Sequence, residues 1–280
     1  PSTIYFRQGS LGATELTYPT WVDRKGTSCS SSNYYRIIWR EHVKMANARS
    51  VFPALIPPGP KHTHSSMSLA FPDDLPQTIL VGASLSTLMS DYFFRTFGSD
   101  HVSVSRLGSL PLLFRSDSEI GVLASDLFLQ LNALTKDYNT AVEAVLTKRW
   151  SAKFPERNAR ARKLLQTELD ALAALSANIP IDDLIYLYYS QFPIEVKNSH
   201  NEIFDANGRL VPKEIVKAEE KAASGSKGTP ESLSEAERTW THPQSGVEYV
   251  FEYPFKPMDR EAELRKAYAK YEAVLAESEK

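Results

Sequence analysis

One cysteine, Cys29, stands in 280 residues, so no internal disulfide can form and no thiolate cage for a metal can be assembled. Nothing here calls for an oxidising compartment, and a cytoplasmic protein is expected. Long apolar runs are missing too. The longest, Thr78 to Met89 and Val51 to Pro58, fall well short of the ~20 residues that a membrane-spanning helix needs. No basic-then-apolar leader is visible, so a soluble chain with no membrane partner is expected. The familiar catalytic signatures are also lacking: there is no P-loop, no G-x-S-x-G elbow and no H-E-x-x-H pair. The carboxylates of Asp73-Asp74 and of Asp182-Asp183 are adjacent and face apart, and the second pair suits the start of a helix better than acid-base work.

What is present is the composition of a folded protein. With 42% hydrophobic and 24% charged residues, this length can bury the core of one or two compact units. Residues 1–75 are rich in Ser, Thr, Pro and aromatics, and their extended runs Tyr34 to Trp39 and Val51 to Ile56 stop at Pro57, Pro58, Gly59 and Pro60, which reads as strands and loops. From Gln77 the period changes: Val81, Leu85, Leu88 and Tyr92 recur at helical spacing up to Gly98, predicting one amphipathic helix, with a strand over His101 to Phe114 after it. Ser116 and Glu119 form a capping-box pattern. The apolar stripe that follows, through Leu127 and Leu131 to Val145, predicts one continuous helix from Ser116 to Lys148.

A second helix follows Pro155, its first turns crowded by Arg157, Arg160, Arg162 and Lys163. Cations at the positive end of a helix dipole must answer to an external anion or to nearby acids. Ile181 to Phe192 form a third helix, opened by Pro180 and closed by Pro193. Beyond it, Asn207-Gly208 marks a tight hairpin, residues 217–238 read as a flexible loop, a second hairpin turns at Pro243 to Gly246, and a last helix begins at Asp259. The expectation is an α+β protein with a β-rich target-recognition part over 1–115, a helical spine over 116–192 and a hairpin/helix C-terminal extension over 193–280. Its start at Pro1, directly before the strand-like Ile4 to Phe6, leads us to expect a piece of a longer polypeptide.

Net charge is −2, but its distribution is uneven. Between residues 31 and 70, Arg36, Arg40, Lys44, Arg49 and Lys61 face the single acid Glu41, with His42, His62 and His64 among them. Such a patch suits phosphates, and equally suits a solvated strand surface paired with acids from elsewhere in the fold. His62 and His64 fall on one side of a strand and supply at most two metal ligands; a hydrogen-bonded loop is the preferred reading.

The segments Tyr34 to Arg40, Asn47 to Ser50 and Ala54 to His62 resemble, in this order, a pattern found after the catalytic domain of large type IIG-like restriction-modification adenine methyltransferases, including those of BREX and DISARM phage defence. Phe93-Phe94-Arg95, Ser105-Arg106-Leu107, Leu110-Pro111-Leu112, Asp170 to Ala173, Asp183 to Ile185, Gln191-Phe192-Pro193, Asp205 to Arg209 and Asp259-Arg260-Glu261 continue the resemblance along most of the chain from Tyr34. It departs where the family's E-R-T-like triplet is Ala48-Arg49-Ser50 and where Lys197 to Ile203 replaces an acidic-aromatic lead-in.

The resemblance implies a region that clasps double-stranded DNA and chooses its sequence, working with a catalytic methyltransferase domain or other defence-system subunits. Arg36, Arg40, Lys61, His62, His64, Arg95 and Arg106 are the residues it would place near DNA, with Arg49 instead pairing with a buried acid. The alternatives are a protein-interaction module and a self-contained enzyme. An adenine methyltransferase needs an Asn/Asp-Pro-Pro-Tyr/Phe loop for the flipped base and a glycine-rich strand-to-helix turn for S-adenosylmethionine. The sequence contains neither, so no catalytic, cofactor-binding or metal-ligating set is expected in this chain. Calorimetric titration of the 280 residues with S-adenosylmethionine is expected to show no binding at about micromolar concentration, the range of a working cofactor site.

Overall fold

The computed structural model describes residues 20–22, 26–43, 47–63, 65–98, 101–224 and 231–278. A short antiparallel pair comes first, β1 (Thr20–Val22) with β2 (Ser28–Ser30). Next, β3 (Arg36–Arg40) takes the centre of a three-stranded antiparallel sheet between β4 (Ala54–Ile56) and β5 (Ser66–Leu69). Side chains alternate across a strand, and here the alternation fixes the faces. Ile37 and Trp39, 0% and 2% exposed, join Leu55 in the core, while Arg40 stands in solvent on the other face.

Helices cover the inner face. α1 (Leu75–Leu85) packs on β3 and β4, followed by α2 (Leu88–Thr96) and the single turn α3 (Val104–Leu107). α4 (Glu119–Asn132) lies between α1 and α6 (Ala159–Ser176), with α5 (Asn139–Leu146) folded back beside them. Gly82 on α1 is where sheet and helices meet: a Cβ there would stand 2.5 Å from both the Ile37 side chain and the Phe128 ring. α7 (Ile181–Gln191) and α8 (Pro193–Asn201) lead into β6 (Ile203–Phe204) and the turn at Asn207-Gly208, where Gly208 has φ +74°. A satellite core of Val211, Ile215, Leu233 and Phe251 then gathers α9 (Lys213–Ser224) and the hairpin of β7 (Thr239–Thr241) with β8 (Glu248–Val250). After β9 (Lys256–Pro257), which pairs with β6, α10 (Arg260–Ser278) returns along α6 and buries Leu264 and Tyr271 in the main core.

The class is α+β as expected, and both hairpins and the last helix lie where the sequence places them. Four local expectations are corrected. The helix from Gln77 to Gly98 is two helices, because Thr87 turns extended (φ −94°, ψ 155°) and caps α2 by accepting from the Ser90 N–H at 3.2 Å. The strand over His101 to Phe114 reduces to one bridge between His101 and His42, because Ser103 caps α3 within it. Residues 213–224, of which 217–224 were read as loop, form α9, whose apolar face finds the satellite core; residues 225–230 lie outside the described set. As expected, Pro193 closes α7, and it also opens α8 directly, where its missing N–H costs nothing.

The fourth correction concerns the long helix. It starts at Ser118, which accepts from the Gly121 N–H at 3.1 Å, and breaks after Asn132. The carbonyls freed at the break are claimed by side chains from the next segment: Leu131 by Arg162 (2.9 Å), Ala133 by the Trp150 indole (2.7 Å) and Leu134 by Arg157 (2.9 Å). These two arginines thus serve the negative end of α4, while Arg160 and Lys163 answer to nearby acids, Glu263 at 3.2 Å and Glu202 at 3.0 Å. With 14 residues α4 extends only about 21 Å, yet Leu127 and Leu131 remain 5% and 8% exposed between α1 and α6. The apolar core runs unbroken from Ile37 to Tyr271, so the β-rich front and the helices share it.

Replacing Gly82 by Ala is expected to lower stability by about 1–3 kcal/mol through overpacking against Ile37 and Phe128, although Ala is the better helix former by about 1 kcal/mol. Urea unfolding measures the sign, and a stabilised variant would show that sheet and α4 do not close over this residue.

Candidate nucleic-acid interface

Of the seven cations and histidines implicated by the sequence, the six among the described residues separate into two groups. Arg36 is fully buried and donates to the carbonyls of Tyr34 (3.2 Å) and Pro60, tying down the proline turn after β4. Arg95 donates to Asp91 at 3.0 Å, to the Gln191 carbonyl at 3.0 Å and to the carbonyls of Asn47 and Ala48 at 3.1 and 2.9 Å, and lies over the Phe192 ring. Both are internal ties: Arg36 is 0% exposed and the Arg95 side chain 13% exposed, each spent on carbonyls or carboxylates of the protein. His62 is half-buried: its Nδ1–H donates to the Thr63 carbonyl at 3.0 Å and Nε2 accepts from the Ser68 hydroxyl at 2.9 Å. His64 lies outside the described residues, and among those described no metal-binding group of His, Cys, Asp or Glu forms. Arg40, Lys61 and Arg106 are exposed.

The internal ties belong to a larger assembly. Arg49 spans Glu195, through Nε and through Nη2 at 3.1 Å, and Asp170 at 3.2 Å; Arg260 reaches the same two carboxylates at 3.4 and 2.6 Å. Asp170 also accepts from the Leu88 N–H at 2.6 Å, so it caps α2. Asp91 accepts from the N–H groups of Ser50 and Val51 at 2.7 and 3.0 Å while holding Arg95. Side chains in the quartet are at most 13% exposed. Burial pushes the Glu195 carboxyl up, but Arg49 and Arg260 outweigh it and hold the group at about 2; burial likewise lowers Arg49, and Glu195 and Asp170 more than restore it, leaving it raised. Five segments that carry the resemblance, 47–50, 93–95, 170–173, 191–193 and 259–261, meet here.

Of the exposed group, Lys61 follows Pro60 at the Arg36 end of the sheet, while Arg40 and Arg106 stand at the other end. Three chain segments run side by side there, linked by Glu41 N–H to the Ser65 carbonyl (3.1 Å) and Val102 N–H to the Glu41 carbonyl (2.8 Å), and fastened from inside by the Trp39 indole on the Val102 carbonyl (2.7 Å). They present Arg40, His42, Ser65 and His101 to solvent, and α3, which packs on β5, adds Ser105 and Arg106. The His42 and His101 rings meet edge to face at 4.3 Å, and Glu41 stands 3.9 Å from His101 as the acid of the edge. Sequence reasoning did not bring His101 to His42, because the 58 intervening positions carry no pattern that pairs them. Cationic and hydroxyl groups on a sheet edge suit phosphate oxygens, while the histidine pair offers ring N–H groups to the same acceptors.

Comparison of the chain with known family models, curated proteins and solved structures finds no match.

Glu195 carries a pH signature. Its folded value lies below the usual carboxylate range, so the stabilisation, on the order of 3 kcal/mol, is complete above about pH 5 and is lost as pH falls toward about 2. Urea midpoints followed down this range are expected to drop, and Glu195→Gln, already weaker at neutral pH, is expected to show a shallower acid dependence. Equal slopes for parent and variant would mean that Glu195 is not held by the two arginines.

Proposed function

We propose that this chain is the DNA-contacting, non-catalytic part of an adenine-specific DNA methyltransferase of restriction-modification or phage-defence type, and that duplex DNA lies along the sheet edge bearing Arg40 and Arg106. The observation that carries this reading is the convergence of five separated resemblance segments on one buried network. Scattered chance matches would have no reason to touch one another. In this reading the network sets the shape of the clasp, and Arg40, Lys61 and Arg106, left exposed, neutralise phosphates. S-adenosylmethionine and the target adenine would be held by a catalytic domain outside these residues.

One observation favours a second reading, a docking module for other defence subunits: Tyr186, Tyr189 and Ile194 on α7 and α8 are 75%, 45% and 38% exposed. Salt separates the two, because phosphate contacts release counterions and apolar docking does not.

Replacing Arg40, Lys61 and Arg106 together by Ala is expected to weaken duplex binding and to reduce the slope of log affinity against log salt by about 0.9 per lost contact, measured by fluorescence anisotropy. Arg36→Ala and Arg95→Ala are expected to lower stability instead. A folded triple variant that binds as tightly as the parent, with the same salt slope, would remove this edge from the interface.

A further inference from the structure

A cleft of about 610 Å³ opens away from that edge, walled by Tyr34, Tyr35, Pro57 and Phe71 on one side and by Asp137 and Thr140 on the other. The Tyr35 hydroxyl donates to the Asp137 carbonyl and ties the walls together. Phe71 is 37% exposed, an aromatic face left to water beside prolines.

The far wall is laced to a basic loop. The Trp150 N–H donates to the Asn139 side chain at 2.9 Å, between Asp137 and Thr140 in sequence, and the Trp150 indole and Arg157 hold the carbonyls of Ala133 and Leu134 just before them. Between α5 and α6 this loop carries Lys148, Arg149, Lys153 and Arg157 against one acid, Glu156, and Lys136 adjoins it. All five cations are exposed. Arg149 has Glu143 at 3.7 Å, and among the described residues no carboxylate pairs with Lys148 or Lys153. On a chain of net charge −2, this concentration is not balanced by internal ion pairs.

We infer that the cleft and the basic loop together bind a single nucleic-acid strand, one unpaired base stacking on Phe71 and Tyr34 while the neighbouring phosphates run over Lys136, Lys148 and Lys153. Aromatic faces flanked by cations are the means by which proteins hold unpaired strands, since every base has a face to stack and every linkage a charge to neutralise. A base inside a duplex is stacked on both sides and offers no free face to such a cleft. A proline-rich peptide also fits aromatic and proline walls, but it gives the lysines nothing to neutralise. The site is separate from the Arg40 and Arg106 edge and goes beyond the duplex reading.

The test uses the full chain with an oligothymidylate of about ten nucleotides, within the usual span of such grooves, carrying one 5-iodouracil. Irradiation is expected to cross-link the base to Tyr34, Tyr35 or Phe71, located by mass spectrometry. Phe71→Ala, at an exposed position, is expected to weaken oligonucleotide binding about tenfold. Changing Lys136, Lys148 and Lys153 to Glu is expected to lower the salt slope by about two, at ~0.7 per contact on a single strand. The Arg40→Ala, Arg106→Ala variant is expected to bind the oligonucleotide within about twofold of the parent, so loss of duplex binding there leaves this inference standing. Cross-links mapping outside the cleft, or a proline-rich peptide bound in it without competition from the oligonucleotide, would overturn the inference; the cross-link needs no variant and holds even if Phe71→Ala misfolds.

Discussion

Two guanidiniums and two carboxylates, held out of water at the junction of four helices, fix where everything else in this protein can be. Arg49 comes from the loop before β4, Asp170 from α6, Glu195 from α8 and Arg260 from the first turn of α10. Removing a charge from water costs several kcal/mol, and the set is tolerable only because each group is neutralised by two others and its lone pairs or protons are used. Asp170 is the most constrained member: one oxygen caps α2 and the other receives both arginines. Moving any one of these helices would strand a buried ion, so the packing angles of the helical part follow from this one junction.

The same requirement explains why the chain's arginines divide as they do. A guanidinium with several fixed donors is suited to holding carbonyls and carboxylates from separate segments at once, which is what Arg36, Arg49, Arg95, Arg162 and Arg260 do. Exposed cations without such internal work include those on the edge with Arg40 and Arg106 and those on the loop after α5. Nucleic-acid contact, in the proposed reading, falls to these.

Much of this was legible in the sequence, and the misreadings have a common cause. Hairpins at Asn207-Gly208 and Pro243 to Gly246 are specified by residues that accept positive φ, with Gly208 and Gly246 at +74° and +68°, so local chemistry sufficed. The pairing of Arg49 with a buried acid was readable as a possibility, though not its partners, 121 and 146 positions away. Where a helix ends proved harder: the stripe across Ala133 to Thr135 continues unbroken in sequence, and only Trp150, Arg157 and Arg162, arriving from the following segment, make the break favourable. The internal partners of Arg36 and Arg95 were hidden for the same reason. Sequence displays a charge but not the carbonyls that will surround it.

The wide spacing of the quartet also orders events in time. Arg49, Asp170 and Glu195 are all synthesised before Arg260, which lies 90 positions beyond Asp170. Until α10 arrives, one guanidinium faces two carboxylates, and the emerging chain carries an excess of buried acid that resists close packing. Loops of this length close late, after local helices have formed. Docking of the last helix supplies the second guanidinium, and with it the charge balance and the sealing of the native junction.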